Sequence, residues 1–441
     1  MGQGNRRTTL QKRLEIWERA EQGECDTAIA AAMRLSPMTV RKWRRRAQRQ
    51  GRAGLGSQIG RPKSGPLGTS SPELRQTVRQ MRSEQPGWGP ITLRLELAED
   101  LHFQEHKLPS RSRLAAFLKA GGWTRHYERH SDLVQPAAPA PAAPHAEWEM
   151  DAQGVRQIVG VGRVSVINIG DPYSHLRVGS LGCLAKSKAD TPDYQLALRR
   201  AFLRFGLPAR LSLDHDSAFF DNTSGSPFPS RLHLWLIAIG VEVHFITEAR
   251  PTEHGFIERT HQVVDHQATT GQEFTGPQAL QPRLDQRLDF LNGRYPSRAL
   301  AGQPPLLAHP TAMHSGRDYR PEQEAELLDL QRVYDYLAQN RWFRQVTAMG
   351  QFTLGTYRYG LGKAWANQQV EITFDAQTQE FVCRSADGQC TQRLQAKGLT
   401  KTDLMGELDM AQFPNYQYAF PWTASACRQN LFHQEVAGTP L

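Results

Sequence analysis

Apolar residues recur at helical spacing three times in the first fifty positions, and each run carries its own start or stop signal. Leu10, Leu14, Trp17 and Ala20 mark the first run, which Gly23 ends. An alanine-rich run from Thr27 to Met33 follows. Ser36 and Pro37 open the third, with serine as N-cap and proline at the first helical position, and Val40, Trp43 and Ala47 form its apolar stripe. Three short helices in this order predict a helix-turn-helix over 1–50, whose last helix is the one to enter the major groove of DNA. The Gly, Ser and Pro of 51–70 predict a flexible basic linker. A second helix-turn-helix unit is expected over 71–130, with helices from Ser71 to about Arg82, Ile91 to Glu99 and Ser110 to Lys119, the first two separated by the turn PGWGP (86–90). The prolines of 131–146 then stiffen a Pro/Ala linker.

Beyond that linker the pattern alternates between strand and helix periods. Trp148–Ile158, Gly162–Gly170, His175–Cys183, Arg210–Leu213 and Val241–Ile246 read as strands. Asp190–Phe205, Leu232–Ile239 and Phe256–His266 read as helices. This order predicts an α/β core over 147–310, a mixed sheet with flanking helices. Pro321–Arg344 reads as one long amphipathic helix, a linking element at 321–345. Strands at Gln351–Tyr359, Gln368–Phe374, Glu380–Arg384 and Cys390–Leu394 predict a small C-terminal β-barrel over 346–396, followed by a tail at 397–441. The expected fold class is therefore multidomain: α-helical helix-turn-helix units, an α/β core and a β-barrel. Trp235, Phe245, Trp342 and Phe343 are expected in the core.

Charge sharpens this division. The chain carries a net +9, yet residues 1–63 alone hold 15 Lys and Arg against 5 Asp and Glu, so the positive charge is placed and not spread. A polyanion is the expected partner, and double-stranded DNA fits the helical pattern. Arg41, Lys42, Arg44, Arg45, Arg46 and Arg49 crowd the third helix, and Arg61 and Lys63 stand in a Gly-Arg-Pro-Lys segment that resembles a minor-groove hook. No membrane partner is expected: the longest apolar run, Leu234 to Val241, is far short of the roughly 20 residues a span needs. The amino-terminal residues show no apolar signal region, so a cytoplasmic location is expected. The five cysteines are scattered without a C-x-x-C pair and read as reduced thiols, with no zinc site.

Three acids stand in unusual local contexts. Asp151 lies inside the strand WEMDAQGV, Asp214 ends the apolar strand RLSLD, and Glu258 occupies the first turns of a helix. Converging carboxylates repel one another unless a hard divalent cation holds them. Phosphoryl transfer uses such sets: two Mg²⁺ ions activate the attacking oxygen and stabilise the leaving one.

The segments around these acids carry a family resemblance. WEMDAQG resembles the first-strand motif of transposases with a retroviral-integrase-type DDE core, SLDHDSAF is similar to their second motif, and PTEHGFIERTH to their third. The helix-turn-helix units, PGWGP and GQFTLGTYRYGLG look like those of bacterial insertion-sequence transposases. The resemblance implies an RNase H-like core with Asp151, Asp214 and Glu258 as catalytic metal ligands, and Mg²⁺ as cofactor with Mn²⁺ as a substitute. It implies metal-dependent cleavage of element ends and 3′-hydroxyl strand transfer into target DNA. A homodimer or higher oligomer on DNA follows from joining two ends, and the location implied is the bacterial cytoplasm, on the nucleoid. Arg259 and His261 would touch DNA phosphate.

The chain also departs from the family pattern. Between Asp214 and Glu258 lie 43 residues, a wide gap in which 221–230 reads as an insertion. Asp216 stands where the family has glycine and rivals Asp214; Glu253 and Asp265 rival Glu258; His254 replaces an asparagine. Two other functions share the sequence features: a catalytically silent DNA-binding regulator, and an RNase H-like nuclease that cuts without joining.

Overall fold

A computed structural model describes residues 8–56, 65–124, 141–246 apart from 185, 187, 217, 220, 222 and 223, and 255–413. The chain divides into two compact units, Met1–Ser71 and Pro72–Leu441.

In the first unit the three expected helices are α1 (Leu10–Glu21), α2 (Asp26–Ala32) and α3 (Pro37–Gln50). Ser36 caps α3 by accepting the Thr39 N–H at 3.2 Å. Ile16, Ile29, Val40, Trp43, Ala47 and Leu55 form its core. The buried face of α1 differs from the one its apolar spacing suggests. Leu10 is half exposed, and α1 buries Ile16 and Arg13 instead. The cause is Trp43: the Arg13 guanidinium lies 4.0 Å from that ring's centroid and donates to the Leu55 carbonyl at 3.1 Å.

The second unit opens with helices α4 (Pro72–Glu84), α5 (Pro90–Glu99) and α6 (Arg111–Ala120). It continues with β1 (Glu147–Ala152), β2 (Arg156–Ile158), β3 (Gly162–Asp171) and β4 (Leu176–Leu184). Helix α7 (Thr191–Phe205), strand β5 (Arg210–Leu213), helix α8 (Arg231–Ile239), strand β6 (Glu242–Phe245) and helix α9 (Gly255–Val264) follow. Then come α10 (Leu280–Gly293), α11 (Pro305–Ala308), α12 (Glu324–Leu327) and α13 (Leu330–Ala338). The expected mixed sheet is present. β3 pairs antiparallel with β1 and β4, and β1, β5 and β6 run parallel. The single strand expected over Trp148–Ile158 breaks at Gln153. β2 resumes pairing along β3, and the Gln153 N–H still donates to the Val166 carbonyl at 2.9 Å.

Strand alternation splits the sheet faces. Trp148, Met150, Ile167 and Ile169 point to α7 and α8, where Phe202 and Trp235 are fully buried. Val164 and Val166 point to the other face, packed by Val264, Leu284 and Leu288 of α9 and α10. His233 of α8 is buried against Phe245 and Tyr336, and burial pushes its imidazole down to about 4. Its folded value lies below the unfolded 6.5, so the stability it contributes is present above pH 6.5 and is lost as pH falls through about 4. His233→Leu is expected to remove on the order of 3 kcal/mol of acid destabilisation over that window, read as a flatter Tm against pH. An unchanged Tm profile would refute it.

Helix α9 runs into one π-helical stretch, Asp265–Thr269, which the α4–α5 turn grips. A Cβ on Gly87 would lie 2.0 Å from the His266 carbonyl oxygen, so only glycine permits the approach. Gln267 is the hub: its amide donates to Thr92 Oγ1 at 2.9 Å and accepts from Arg287 at 2.7 Å, and its carbonyl accepts from Trp88 Nε1 at 3.4 Å.

Two expectations fail in the C-terminal half. Pro321–Arg344 is not one helix. It breaks at Leu328–Asp329, where the Asp329 N–H donates to the Ala238 carbonyl at 2.9 Å and its side chain caps α13. The end of the span is strand β7 (Arg341–Gln345). On a strand, consecutive aromatics face opposite ways, so Trp342 is buried while Phe343 is 41% exposed and not core. The β-barrel is also absent. β7, β10 (Gln369–Asp375), β11 (Glu380–Ser385) and β12 (Thr391–Gln395) make an open four-stranded antiparallel sheet, and β8 (Gln351–Leu354) and β9 (Tyr357–Gly360) pair with each other as a separate hairpin. The sheet has no need to close, because its apolar face packs on the α/β core. Phe228 meets Trp342 and Phe381 at ring-centroid distances of 4.9 and 5.9 Å. The supposed insertion is this landing site. Trp342 Nε1 donates to the Pro227 carbonyl at 3.1 Å, and Arg344 donates to the Ser226 carbonyl at 2.6 Å. A last short helix, α14 (Lys401–Met405), packs on α8.

Candidate active site

Trp148 and Met150 of β1 lie in the core on one face of the sheet, so Glu149 and Asp151 face α9. Glu149 pairs with Ser212 on the parallel neighbour β5. Two residues further along the chain stand Asp151, still in β1, and Asp214, just past the end of β5, at the carboxyl edge where α/β sheets present chemistry. Tyr194 of α7 is buried in the same part of the core. Its phenol is pushed up by burial and then by the charges of Asp216, Asp151 and Asp214.

Glu258 lies exposed in the first turn of α9. Glu149 holds the start of that helix, where Oε2 accepts the Ile257 N–H at 3.0 Å. Burial is the main cause that pushes the Glu149 carboxyl up to about 8; the Ile257 N–H opposes it, and the charges of Glu147, Asp171 and Glu258 add to it. One turn beyond Ile257, His261 is buried and its Nε2 lies 3.0 Å from Asp151 Oδ2. The expectation that His261 touches DNA phosphate is therefore corrected: its ring faces the sheet. Arg259, by contrast, is exposed and donates to Gln262 Oε1 at 2.9 Å.

Two of the rival acids, Asp216 and Asp265, have basic partners. Asp216 pairs with Lys188 at 2.6 Å and accepts the Ala218 N–H at 2.8 Å, while its own N–H donates to Asp214 Oδ1 at 3.0 Å. Asp265 is bound by Arg156 and by Gln153 Nε2. Glu253 and His254 lie outside the described residues. The all-oxygen donor chemistry of Asp151, Asp214 and Glu258 suits a hard cation. Among the described residues, however, no three His, Cys, Asp or Glu side chains stand close enough to hold an ion.

The basic residues of α3 divide into two sets. Asp26 binds Arg44 at 3.1 Å and Arg41 at 3.3 Å. Arg46 is half-buried beside Trp43, 5.2 Å from its ring centroid. Lys42, Arg45 and Arg49 are exposed. Arg61 and Lys63 lie outside the described residues. The described cysteines, Cys25, Cys183, Cys383 and Cys390, form no disulfide. No helix among the described residues is long and apolar enough to cross a membrane.

Residues 7–56 match the family described as the homeodomain-like domain. The match falls within the first unit and covers its three helices, an N-terminal helical region of helix-turn-helix type. Among solved structures, the chain is similar to the catalytic core domain of BIV integrase at 15% identity and a TM-score of 0.27, over 37% of this chain and 93% of that one. It is similar to the HTLV-2 integrase catalytic core domain in complex with magnesium, in a dimeric form, at 14% identity and a TM-score of 0.28, over 38% of this chain and 99% of that one. A chain of the simian T-cell lymphotropic virus intasome in complex with the PP2A regulatory subunit B56 gamma matches at 10% identity and a TM-score of 0.32, over 74% of this chain and 96% of that one.

Sequence reasoning missed Glu149, Asn168, Ser180 and Lys188. The first was within reach, because strand alternation puts Glu149 on the same face as Asp151. Asn168 and Ser180 become visible only through the cross-strand register.

Proposed function

We propose that this protein is a DDE transposase that binds the ends of a mobile DNA element, cleaves them and joins the freed 3′-hydroxyl to target DNA. The observation that carries this reading is the place of Asp151 near the end of β1 and of Asp214 just after the end of its parallel neighbour β5, with Glu258 on α9, which packs against β1. Asp151, Asp214 and Glu258 would hold Mg²⁺, or Mn²⁺ in its place, in an RNase H-like core. When bound, the metal supplies Lewis-acid stabilisation of the phosphoryl oxygens. Asp214 is preferred to Asp216 for the second position because it directly follows the apolar strand β5. The chain's own groups do the rest. The α3 face supplies phosphate contacts, β1 and β5 fix the two aspartates, and Glu149 anchors the start of α9. Two element ends must meet, so a dimer or larger assembly on DNA belongs to the proposal, as does a cytoplasmic, nucleoid-bound location.

Incubating the purified protein with Mg²⁺ and duplexes that carry the element's ends should give nicked and joined products. Cutting with no joining would mark a nuclease instead. A silent DNA-binding regulator is the second reading. Binding without either product would establish it.

Exposed Arg45 is expected to contribute more to DNA affinity than Arg44, which Asp26 already neutralises in part. Arg45→Ala should flatten the slope of log K against log salt by about 1, and Arg44→Ala by less. Equal slopes for both variants would contradict the division of the α3 face.

A further inference from the structure

Asp151, Asn168 and Ser180 stand side by side across three strands: Asp151 pairs with Asn168 on β3, and Asn168 pairs with Ser180 on β4. Asn168, Ser180 and His261 are all buried. The Ser180 hydroxyl donates to Asn168 Oδ1 at 2.8 Å. That bond orients the amide, whose Nδ2 donates to His261 Nδ1 at 2.7 Å. A ring nitrogen that accepts carries no proton, so the proton of the neutral imidazole sits on Nε2. It is donated to Asp151 Oδ2 at 3.0 Å, while Asp151 Oδ1 accepts the Ala152 N–H at 2.7 Å.

We infer that His261 is a positioning residue: the buried Ser180–Asn168–His261 relay fixes the Asp151 carboxylate in one orientation before metal or DNA arrives. The inference rests on the reading of Asp151 as a metal ligand. Its physical content is that a carboxylate with both oxygens held from behind cannot swing about its last side-chain bond. Its remaining lone pairs then stay aimed outward, and less orientational freedom is lost on ligation. The same relay sets the register of α9. Ile257 is tied to Glu149 and His261 to Asp151, one helical turn apart, and Glu258 lies between the two ties.

A histidine that merely fills the core predicts something different. Replacing a buried polar group with an apolar one of similar size would then change stability and leave metal affinity alone.

The test uses the full chain without DNA. Mn²⁺ affinity is measured by titration calorimetry, and Tm is recorded for each variant. His261→Leu should weaken Mn²⁺ binding by about 10- to 100-fold, the usual cost of losing a hydrogen-bond partner behind a metal ligand. His261→Gln should restore most of it, since its amide N–H can stand in for the Nε2–H. Asn168→Ala leaves the ring in place but frees its tautomer, and should weaken binding in the same direction by less. If His261→Leu fails to fold, the Gln and Ala variants carry the test. Folded Leu and Ala variants with wild-type Mn²⁺ affinity would overturn the inference, and so would Gln and Leu variants that are equally weak. The control is Asp151→Asn. Wild-type Mn²⁺ affinity in that variant would overturn the ligand reading itself, a result distinct from failure of the relay.

Discussion

Asparagine in place of Asp151 is expected to cut the rate of strand cleavage by about a thousandfold while binding of element ends stays near wild type. The side chain keeps its size, and its amide oxygen can still accept the His261 Nε2–H, so the fold around β1 should persist. What is lost is the negative charge. A metal that polarises a phosphoryl oxygen supplies several kcal/mol of transition-state stabilisation, and about 4 kcal/mol corresponds to roughly three orders of magnitude in rate. Asp214→Asn and Glu258→Gln should behave alike. Single-turnover nicking of an end duplex measures the rate, and fluorescence anisotropy measures binding on the same DNA. An Asp151→Asn protein that cuts at the wild-type rate would sink the proposed function. Loss of cutting in Asp216→Asn with retention in Asp214→Asn would reassign the second ligand.

The second large effect concerns stability. Arg199 of α7 and Glu324 of α12 form a fully buried bidentate pair, with both N–O distances at 2.7 Å. Trp235 Nε1 and the Tyr319 hydroxyl donate to the same carboxylate, at 2.8 and 2.5 Å. Arg199 also donates to the carbonyl of Met405, the last residue of α14, at 2.7 Å. Removing one partner of such a pair leaves an uncompensated buried charge, which costs about 3–5 kcal/mol. Glu324→Leu should therefore lower the unfolding free energy obtained from urea titration by that amount. The double variant Arg199→Met with Glu324→Leu should recover much of the loss, because no charge is left stranded. Equal destabilisation of single and double variants would show that the loss comes from packing and not from the orphaned guanidinium.

Local signals carried well wherever the element was short and self-capped. Ser36-Pro37 marked the start of α3, and the apolar run Arg210–Leu213 is β5 to the residue. They failed where a distant partner decides the outcome. The span 321–344 has a helical period, yet Asp329 is tied to α8 and the last residues pair with β10. Arg13 interrupts an apolar stripe, yet Trp43 draws it into the core. At the candidate site, strand and helix contexts isolated Asp151, Asp214 and Glu258. The partners behind them required the register of β1 on β3, which single-sequence periodicity does not contain. His261 is the sharpest case. Its chemistry suggested phosphate, and only its place on the inner face of α9 assigns it to Asp151.

The landing of Trp342 and Arg344 on 226–228 has a consequence for how such a chain can change over time. One apolar core runs from β1 through Phe228 into the C-terminal sheet, so the larger unit has no seam there at which a piece could be traded. The Met1–Ser71 unit closes around its own core of Ile16, Ile29, Val40 and Trp43. Recombination between genes could therefore replace the smaller unit and keep the larger one, whereas any exchange inside the larger unit would have to carry the sheet and its landing site together.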